Sequence, residues 1–304
     1  MMSDIVLEIN DLTKDYGKNR GVFDITLSVT RGEVFGYVGT NGSGKTTTIR
    51  TLMGYIQADK GSSSVLGLDS WKDTVQIMKD VSYIPGEIAF PNFSTGTEFL
   101  KSQAEYLGVK DYTYMNHVIE LLQLDPTANL KRMSKGMKQK TAIVAALMGE
   151  KDILILDEPT TGLDPLMRES FLELIREEKA KGHTIFMSSH IFEEIEEVCD
   201  KVAMIKDGRI IDIADLYDLR HSKTRKYAVI FQDEAEAKRF AKQSQAVTSI
   251  DGKTCEVVFP TVDIREFLGT LQAFSIQSIT EHKTTLEDYF LKAYSYTNTK
   301  KGAK

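Results

Sequence analysis

Cysteine is scarce in this 304-residue chain: only Cys199 and Cys255 occur, far apart and in no metal-binding or redox spacing. They read as two reduced thiols of a cytosolic protein. Long apolar runs are missing too. No stretch approaches the roughly 20 residues that cross a bilayer, so the chain builds no channel itself, and any membrane role must pass through a partner. Met1 to Asp4 leads into strand-like sequence instead of a basic and then apolar signal segment, which predicts a chain that stays in the cytosol. Positive charge is in deficit: 38 Lys and Arg against 44 Asp and Glu leave a formal net charge of -6, whereas nucleic-acid-binding domains are usually basic. Neither an internal repeat nor a heptad run is present. A hydrophobic fraction of 41% with 27% charged residues is ordinary for a globular protein that buries a core. The length suggests two domains.

Short β-rich runs, Val6–Ile9 and Ile25–Val29, open the chain. Val34–Val38 then leads through a glycine-rich turn into a helix-like stretch, Lys45–Tyr55, making a strand–loop–helix unit. Between about Thr95 and Leu124 the apolar residues recur at helical spacing, as in Phe99, Leu100, Tyr106 and Leu107, and two or three amphipathic helices are expected there. Ile153–Leu156 is a continuous apolar run, as in a parallel strand covered on both faces. Further expected elements are a helix from Pro165 to Lys181, a strand from Thr184 to Met187 and a helix near Ile191–Cys199. A hairpin, Val202–Ile205 and Arg209–Ile213, turns at Asp207–Gly208. After a polar linker at His221–Lys226, strands at Tyr227–Phe231, Thr254–Phe259 and Ile276–Thr280 alternate with helices at Glu234–Gln243 and Val262–Phe274. This β-α-β-α-β order predicts a small α+β appendage, closed by a helix at Thr285–Ala293 and a polar, disordered tail at 297–304.

Gly39-Thr40-Asn41-Gly42-Ser43-Gly44-Lys45-Thr46 fits G-x-x-x-x-G-K-[ST] between a strand and a helix. Glycines let successive backbone N–H groups point inward at phosphate oxygens, and the helix adds its positive N-terminal end. Lys45 brings a full charge to the outer phosphates, the Thr46 hydroxyl can ligate Mg²⁺, and Thr47 would reach another phosphate. A chance match in a glycine turn is the plain alternative, and the flanking strand and helix argue against it. Asp157 and Glu158 end the apolar strand where α/β sheets place their ligands. Asp157 would hold the metal, directly or through water, and Glu158 would orient and deprotonate an attacking water. His190 ends another strand, within reach of the γ-phosphate or that water. His117, His183, His221 and His282 read as structural hydrogen-bonders.

With these residues the chain resembles the nucleotide-binding subunit of an ATP-binding cassette (ABC) transporter over roughly residues 5 to 215. Ser134-Lys135-Gly136-Met137-Lys138-Gln139 stands where that family has its signature motif. Asp157-Glu158-Pro159-Thr160-Thr161-Gly162-Leu163-Asp164 matches its acid strand and dimer loop, and Ser188-Ser189-His190 matches its switch. Tyr16 is similar to the aromatic that stacks on adenine. The resemblance implies a P-loop NTPase cassette of α/β class, with a mixed β-sheet core and a helical subdomain at about 94–150. The cassette would span 1–217, followed by an accessory α+β domain at 218–296. It also implies ATP and Mg²⁺ as ligands, and a homodimer or paired ATP-binding subunit joined head to tail, in which Ser134, Gly136 and Asp164 contact nucleotide held with the other subunit. A separate integral-membrane permease would be the partner, with the chain peripheral on the cytoplasmic side of the cell membrane and no nucleic acid bound.

Two departures stand out. The family's glutamine after Tyr-Ile/Leu-Pro is Gly86 here, with Glu87 next in line either to substitute or to stand as an exposed loop acid. The signature has Lys135 for a glycine and Met137 for a glutamine, but keeps its serine and second glycine. Phe90 and Phe93 would suit a permease groove or the core. The extension looks like that of bacterial drug- and peptide-exporter subunits, which favours export. The competing expectations are a soluble ABC-type ATPase acting on ribosomes or DNA, disfavoured by the acidic charge and the single cassette, and a catalytically silent cassette, disfavoured by Glu158.

Overall fold

The computed structural model describes residues 4–220, 224–260, 264–282 and 285–291. The tail at 297–304, residues 221–223 of the expected linker, 262–263 of an expected helix and 292–293 of the closing helix lie outside the described residues. Two compact units result, one reaching Leu216 and one beginning at Tyr217.

The first unit opens with an antiparallel pair, β1 (Ile5–Asp15) and β2 (Gly21–Thr30). β3 (Val34–Val38) feeds the phosphate loop and α1 (Lys45–Leu52). The segment 60–84, for which the sequence yields no expected elements, forms β4 (Lys60–Val65), β5 (Leu68–Asp69), α2 (Thr74–Asp80) and β6 (Val81–Ile84). Its strands are short and serine-rich, so they carry little alternation. The helical insert follows as α3 (Gly96–Leu107), α4 (Thr113–Leu121), a 3-10 turn at Leu130–Arg132 and α5 (Lys135–Leu147). Thr95 caps α3 by accepting the Glu98 N–H, while the Glu98 carboxylate reaches back to the Ser94 N–H, and Gly108 ends the helix in left-handed geometry.

The chain then alternates through β7 (Ile153–Asp157), α6 (Pro165–Ala180), β8 (Thr184–Ser189), α7 (Phe192–Val198), β9 (Lys201–Lys206) and β10 (Arg209–Asp215). Two sheets form. One has the order β2-β1-β4-β5, and the other β10-β9-β3-β8-β7-β6. The second is parallel apart from β10, which pairs antiparallel with β9. Every residue of β3, β7 and β8 is buried, which explains their unbroken apolar runs. One core joins Val6, Leu7 and Ile9 of the first sheet to Tyr37, Ile155 and Phe186 of the second through Ile49, Leu52 and Met53 at α1. This packing fixes the C-terminal ends of the parallel strands, where the candidate site lies.

The second unit contains β11 (Thr224–Phe231), α9 (Glu234–Gln243), β12 (Val247–Asp251), β13 (Thr254–Pro260), α10 (Ile264–Leu271) and β14 (Ile276–His282). A helical stretch at 286–291 follows, and α8 (Leu216–Arg220) precedes them all. The sheet order is β12-β13-β11-β14, antiparallel throughout. This corrects the expected β-α-β-α-β order to β-α-β-β-α-β, a split βαβ arrangement. The missed strand, β12, is an edge strand with four of its five residues exposed, so it lacks the apolar alternation that marks a strand. Phe231, Phe240 and Phe267 fill this unit's core. Both cysteines are buried free thiols.

Gly36 in β3 is where α7 approaches the sheet: a Cβ there would lie 2.4 Å from Ile195 Cγ2 and 3.2 Å from Cys199 Sγ. Gly36→Ala is expected to destabilise the protein by about 1–3 kcal/mol through overpacking. Denaturant unfolding should show a lower midpoint, and an unchanged midpoint would mean that α7 can move aside freely.

Candidate functional site

The phosphate loop is shaped by close approaches. A Cβ on Gly39 would stand 2.2 Å from the Ile205 carbonyl oxygen and 2.8 Å from Ser43 Oγ. Gly42 and Gly44 adopt φ of 79° and 113°, open to glycine and strained for other residues. Gly44 is the N-cap of α1 and supplies no side-chain cap, so the first turn keeps its N–H groups for an anion. Behind the loop, the Gly208 N–H donates to the Ser43 carbonyl at 2.9 Å, and the Gly208 carbonyl accepts the Phe23 N–H at 2.7 Å. The turn between β9 and β10 thus ties the loop to β2.

Lys45 is only 4% exposed. Its ammonium donates to the Gly39 carbonyl at 2.7 Å and the Thr40 carbonyl at 3.2 Å, and lies 3.1 Å from Glu158 Oε1. Glu158 follows β7 in left-handed backbone geometry, φ 48°, a costly conformation that surrounding contacts must hold. Its N–H donates to Ser188 Oγ at 3.0 Å and to the Ser188 carbonyl at 3.2 Å. The Ser188 hydroxyl in turn donates to Asp157 Oδ1 at 2.7 Å. His190 Nδ1 lies 3.1 Å from Glu158 Oε2, which also accepts the Thr161 hydroxyl at 3.3 Å. Burial pushes the Glu158 carboxyl up, but the charge and hydrogen bond of Lys45, with His190 and Thr161, outweigh it and hold the group below the usual carboxylate range.

Asp157 is wholly buried, and its Oδ2 has no hydrogen-bond partner. Such an orphaned acceptor suits a cation. Among the described residues no three His, Cys, Asp or Glu side chains gather as a metal cluster. Mg²⁺ needs no such cluster, since one or two protein oxygens plus substrate phosphates and waters hold it. Asp157 and the Thr46 hydroxyl fit that pattern.

Tyr16, Gly42, Gly44, Lys45, Thr46, Thr47 and Glu158 line a single cavity of about 430 Å³. Thr40 and Asn41 stand on the exposed crest of the loop, while Gly39 and Ser43 are buried in it. Tyr16 is 51% exposed, as a stacking platform requires, with Lys14 Nζ 5.9 Å from its ring centre. Asn19, Arg20, Asp207 and Gly208 also line this cavity. Sequence reasoning missed them, and only the turn signal at Asp207–Gly208 marked any of these positions.

Ser134, Gly136 and Asp164 do not line this cavity. Ser134 is exposed and caps α5 by accepting the Met137 N–H at 3.2 Å. Asp164 is exposed and caps α6 by accepting the Met167 N–H at 3.0 Å. A Cβ on Gly136 would meet the Gly162 carbonyl at 2.8 Å, so the start of α5 rests directly on the loop that follows Glu158. Gln139 reinforces the contact, donating to the Pro159 carbonyl at 2.7 Å. Glu87 is exposed. A Cβ on Gly86 would come 3.0 Å from Asp157 Oδ2. Phe90 and Phe93 pack on the buried Phe99, with ring centres 4.8 and 5.8 Å away. His117 and His183 pair with Glu177 and Glu178.

A glycine-lined phosphate cradle, a buried lysine, and acids at the end of the neighbouring but one parallel strand define a P-loop nucleoside triphosphatase. The family model described as "ABC transporter" matches residues 22–161. The chain is 32% identical to the bacitracin transport ATP-binding protein BcrA of Bacillus licheniformis, over 94% of this chain and 96% of that protein. It is 33% identical to the Nod factor export ATP-binding protein I of Cupriavidus pinatubonensis, over 94% and 90%. A solved structure titled as the ATP-binding subunit of an ABC transporter aligns with a TM-score of 0.63 at 33% identity, covering 71% of this chain and 92% of that one. The chain belongs to the ABC transporter ATP-binding proteins, and it is an ATP-binding subunit with ATPase activity.

The Lys45–Glu158 pair has a pH signature. A carboxyl depressed in the folded state stabilises the fold above its unfolded pKa, about 4.3 for glutamate, and that contribution is lost as the pH falls through the lower folded value. The stability of the wild type relative to Lys45→Ala, measured by denaturant unfolding without nucleotide, is therefore expected to be greatest above about pH 5 and to decline in acid. A difference that does not vary with pH would show that the two groups are uncoupled.

Proposed function

We propose that this chain is the motor of an exporter: two copies, or this chain and a related one, bind ATP between them and drive a separate membrane-spanning permease from its cytoplasmic side. The observation carrying this reading is that Glu158, which lines the phosphate cavity with Lys45, contacts both Lys45 and His190. Export rests on the kinship with the bacitracin transport and Nod factor export proteins. Among the described residues no helix is long and apolar enough to cross a membrane, which is why the permease is a separate partner. We take 1–217 as the ATPase domain and 218–296 as an accessory domain.

The residues divide the work as follows. Loop N–H groups and the α1 N-terminus cradle the phosphates while Tyr16 stacks on the adenine. An arriving phosphate competes for the Lys45 ammonium. When Lys45 turns to it, Glu158 loses the partner that held its carboxyl down and becomes a better base. Glu158 then orients a water for in-line attack on the γ-phosphorus and takes its proton as the bond to the leaving oxygen breaks. His190 keeps Glu158 aimed and holds the γ-phosphate. Asp157 and Thr46 would hold Mg²⁺, which neutralises charge on the outer phosphates when bound. We assign Ser134 and Asp164, both exposed, and the half-buried Gly136 to the ATP of the facing subunit, since none of the three lines the cavity of its own chain.

Glu158→Gln is expected to lower the turnover of purified protein by about 10²- to 10⁴-fold while still binding ATP, read by phosphate release and nucleotide titration; undiminished turnover would remove Glu158 as the base. For the transport reading, the tagged full chain is recovered from detergent-solubilised membranes of its own cell and its companions are identified by mass spectrometry. A stoichiometric multi-spanning protein is expected, and ribosomal proteins or DNA in its place would sink the exporter assignment.

A further inference from the structure

Glu194 is a carboxylate that the chemistry above leaves without a task. It sits on α7 and is only 2% exposed. A buried carboxylate is costly unless it is paired and hydrogen-bonded. Burial pushes its carboxyl up, offset in part by Ser189, Thr160 and Arg168. Its Oε2 accepts two hydroxyls, Thr160 Oγ1 and Ser189 Oγ, each at 2.9 Å. Its Oε1 faces Arg168 Nε of α6 at 3.1 Å.

The two donors belong to different parts of the site. Ser189 immediately precedes His190, and its hydroxyl also accepts the Ile191 N–H at 3.0 Å, so the backbone on both sides of the histidine is bound to one oxygen. The Ser189 carbonyl further accepts the Gly39 N–H at 3.4 Å, at the root of the phosphate loop. Thr160 lies in the loop after Glu158, whose far end is Asp164, and its carbonyl accepts the Leu163 N–H at 3.0 Å. Gln139 of α5 holds the neighbouring Pro159 carbonyl. One carboxylate oxygen therefore joins the segment bearing the histidine to the loop that rests against α5, so neither can shift without breaking a buried hydrogen bond.

We infer that Glu194 is a positioning residue for hydrolysis, acting through Ser189 and Thr160 to hold His190 in register with the 159–164 loop. The inference rests on the reading of His190 as part of the hydrolytic site. Glu194 does not border the nucleotide cavity, so its loss should spare nucleotide binding. Geometry lost at a reacting centre is expensive: displacement of about 1 Å can cost about 10²-fold in rate.

The test is a double-mutant cycle on the purified full chain, with phosphate release from γ-labelled ATP measured long enough to quantify slow variants. Glu194→Gln keeps the size of the side chain but places an amide where a charged oxygen faces Arg168 or accepts the hydroxyls. It is expected to lower kcat by about 10- to 100-fold with KM for ATP within about twofold, and to have little further effect in a His190→Ala background. Wild-type turnover of Glu194→Gln beside an impaired His190→Ala overturns the Glu194 role alone. The same fold-loss in both backgrounds overturns it too, because Glu194 would then act independently of the histidine. Wild-type turnover of His190→Ala overturns both this role and the reading of His190. If Glu194→Gln fails to fold, Thr160→Val and Ser189→Ala each remove one donor: lowered kcat at unchanged KM in both supports the proposal, and wild-type kcat in either refutes it.

Discussion

Lys45 carries its charge into a part of the fold that water scarcely reaches, and a buried ammonium is tolerated only where opposite charge and hydrogen-bond acceptors surround it. Two loop carbonyls and Glu158 meet that demand. The requirement brings the phosphate loop against the end of β7, two strands away across the sheet. It also balances the two charges within the site. Lys45 and Glu158, the residues proposed to hold phosphate and to activate water, are each other's counter-ions.

Around this pair the backbone is arranged so that little else is free. Glu158 accepts left-handed geometry because Ser188 fixes its N–H, and the same hydroxyl fixes Asp157. The adjacent acids Asp157 and Glu158 are thus both held by one side chain from β8. Gly136 and Gln139 press α5 onto the loop beyond Glu158, and Gly36 lets α7 sit close enough to β3 for Glu194 to reach both flanks of the centre. Small residues at the approaches and hydroxyls at the joints do this work, while the apolar strands supply rigidity.

Much of this was legible in the chain itself. The phosphate loop, the acid-ended strand and His190 are local patterns, each a few residues long beside an unbroken apolar run, and β3 and β7 form where those runs stand. Membership of the cassette fold followed from their order. Other features are long-range and left no local trace. Glu194 looks like any acid on an amphipathic helix until Thr160, 34 residues away, is folded against it. Gly86 was visible as a departure, but its closeness to Asp157 Oδ2 was not. Strand β12 escaped because an edge strand facing water has no need of the alternation that reveals its neighbours, and Arg20 because a turn residue acquires meaning only from the cavity it borders.

The tie between Gly208, Ser43 and Phe23 has a consequence for affinity. A glycine-rich loop left to itself would sample many shapes, and a ligand that had to select one would lose affinity in proportion to its rarity. Here the rear of the loop is stitched to a hairpin turn and to β2 by backbone hydrogen bonds, so the ordering entropy is spent during folding and not on encounter. Nucleotide affinity is then not discounted for ordering the rear of the loop.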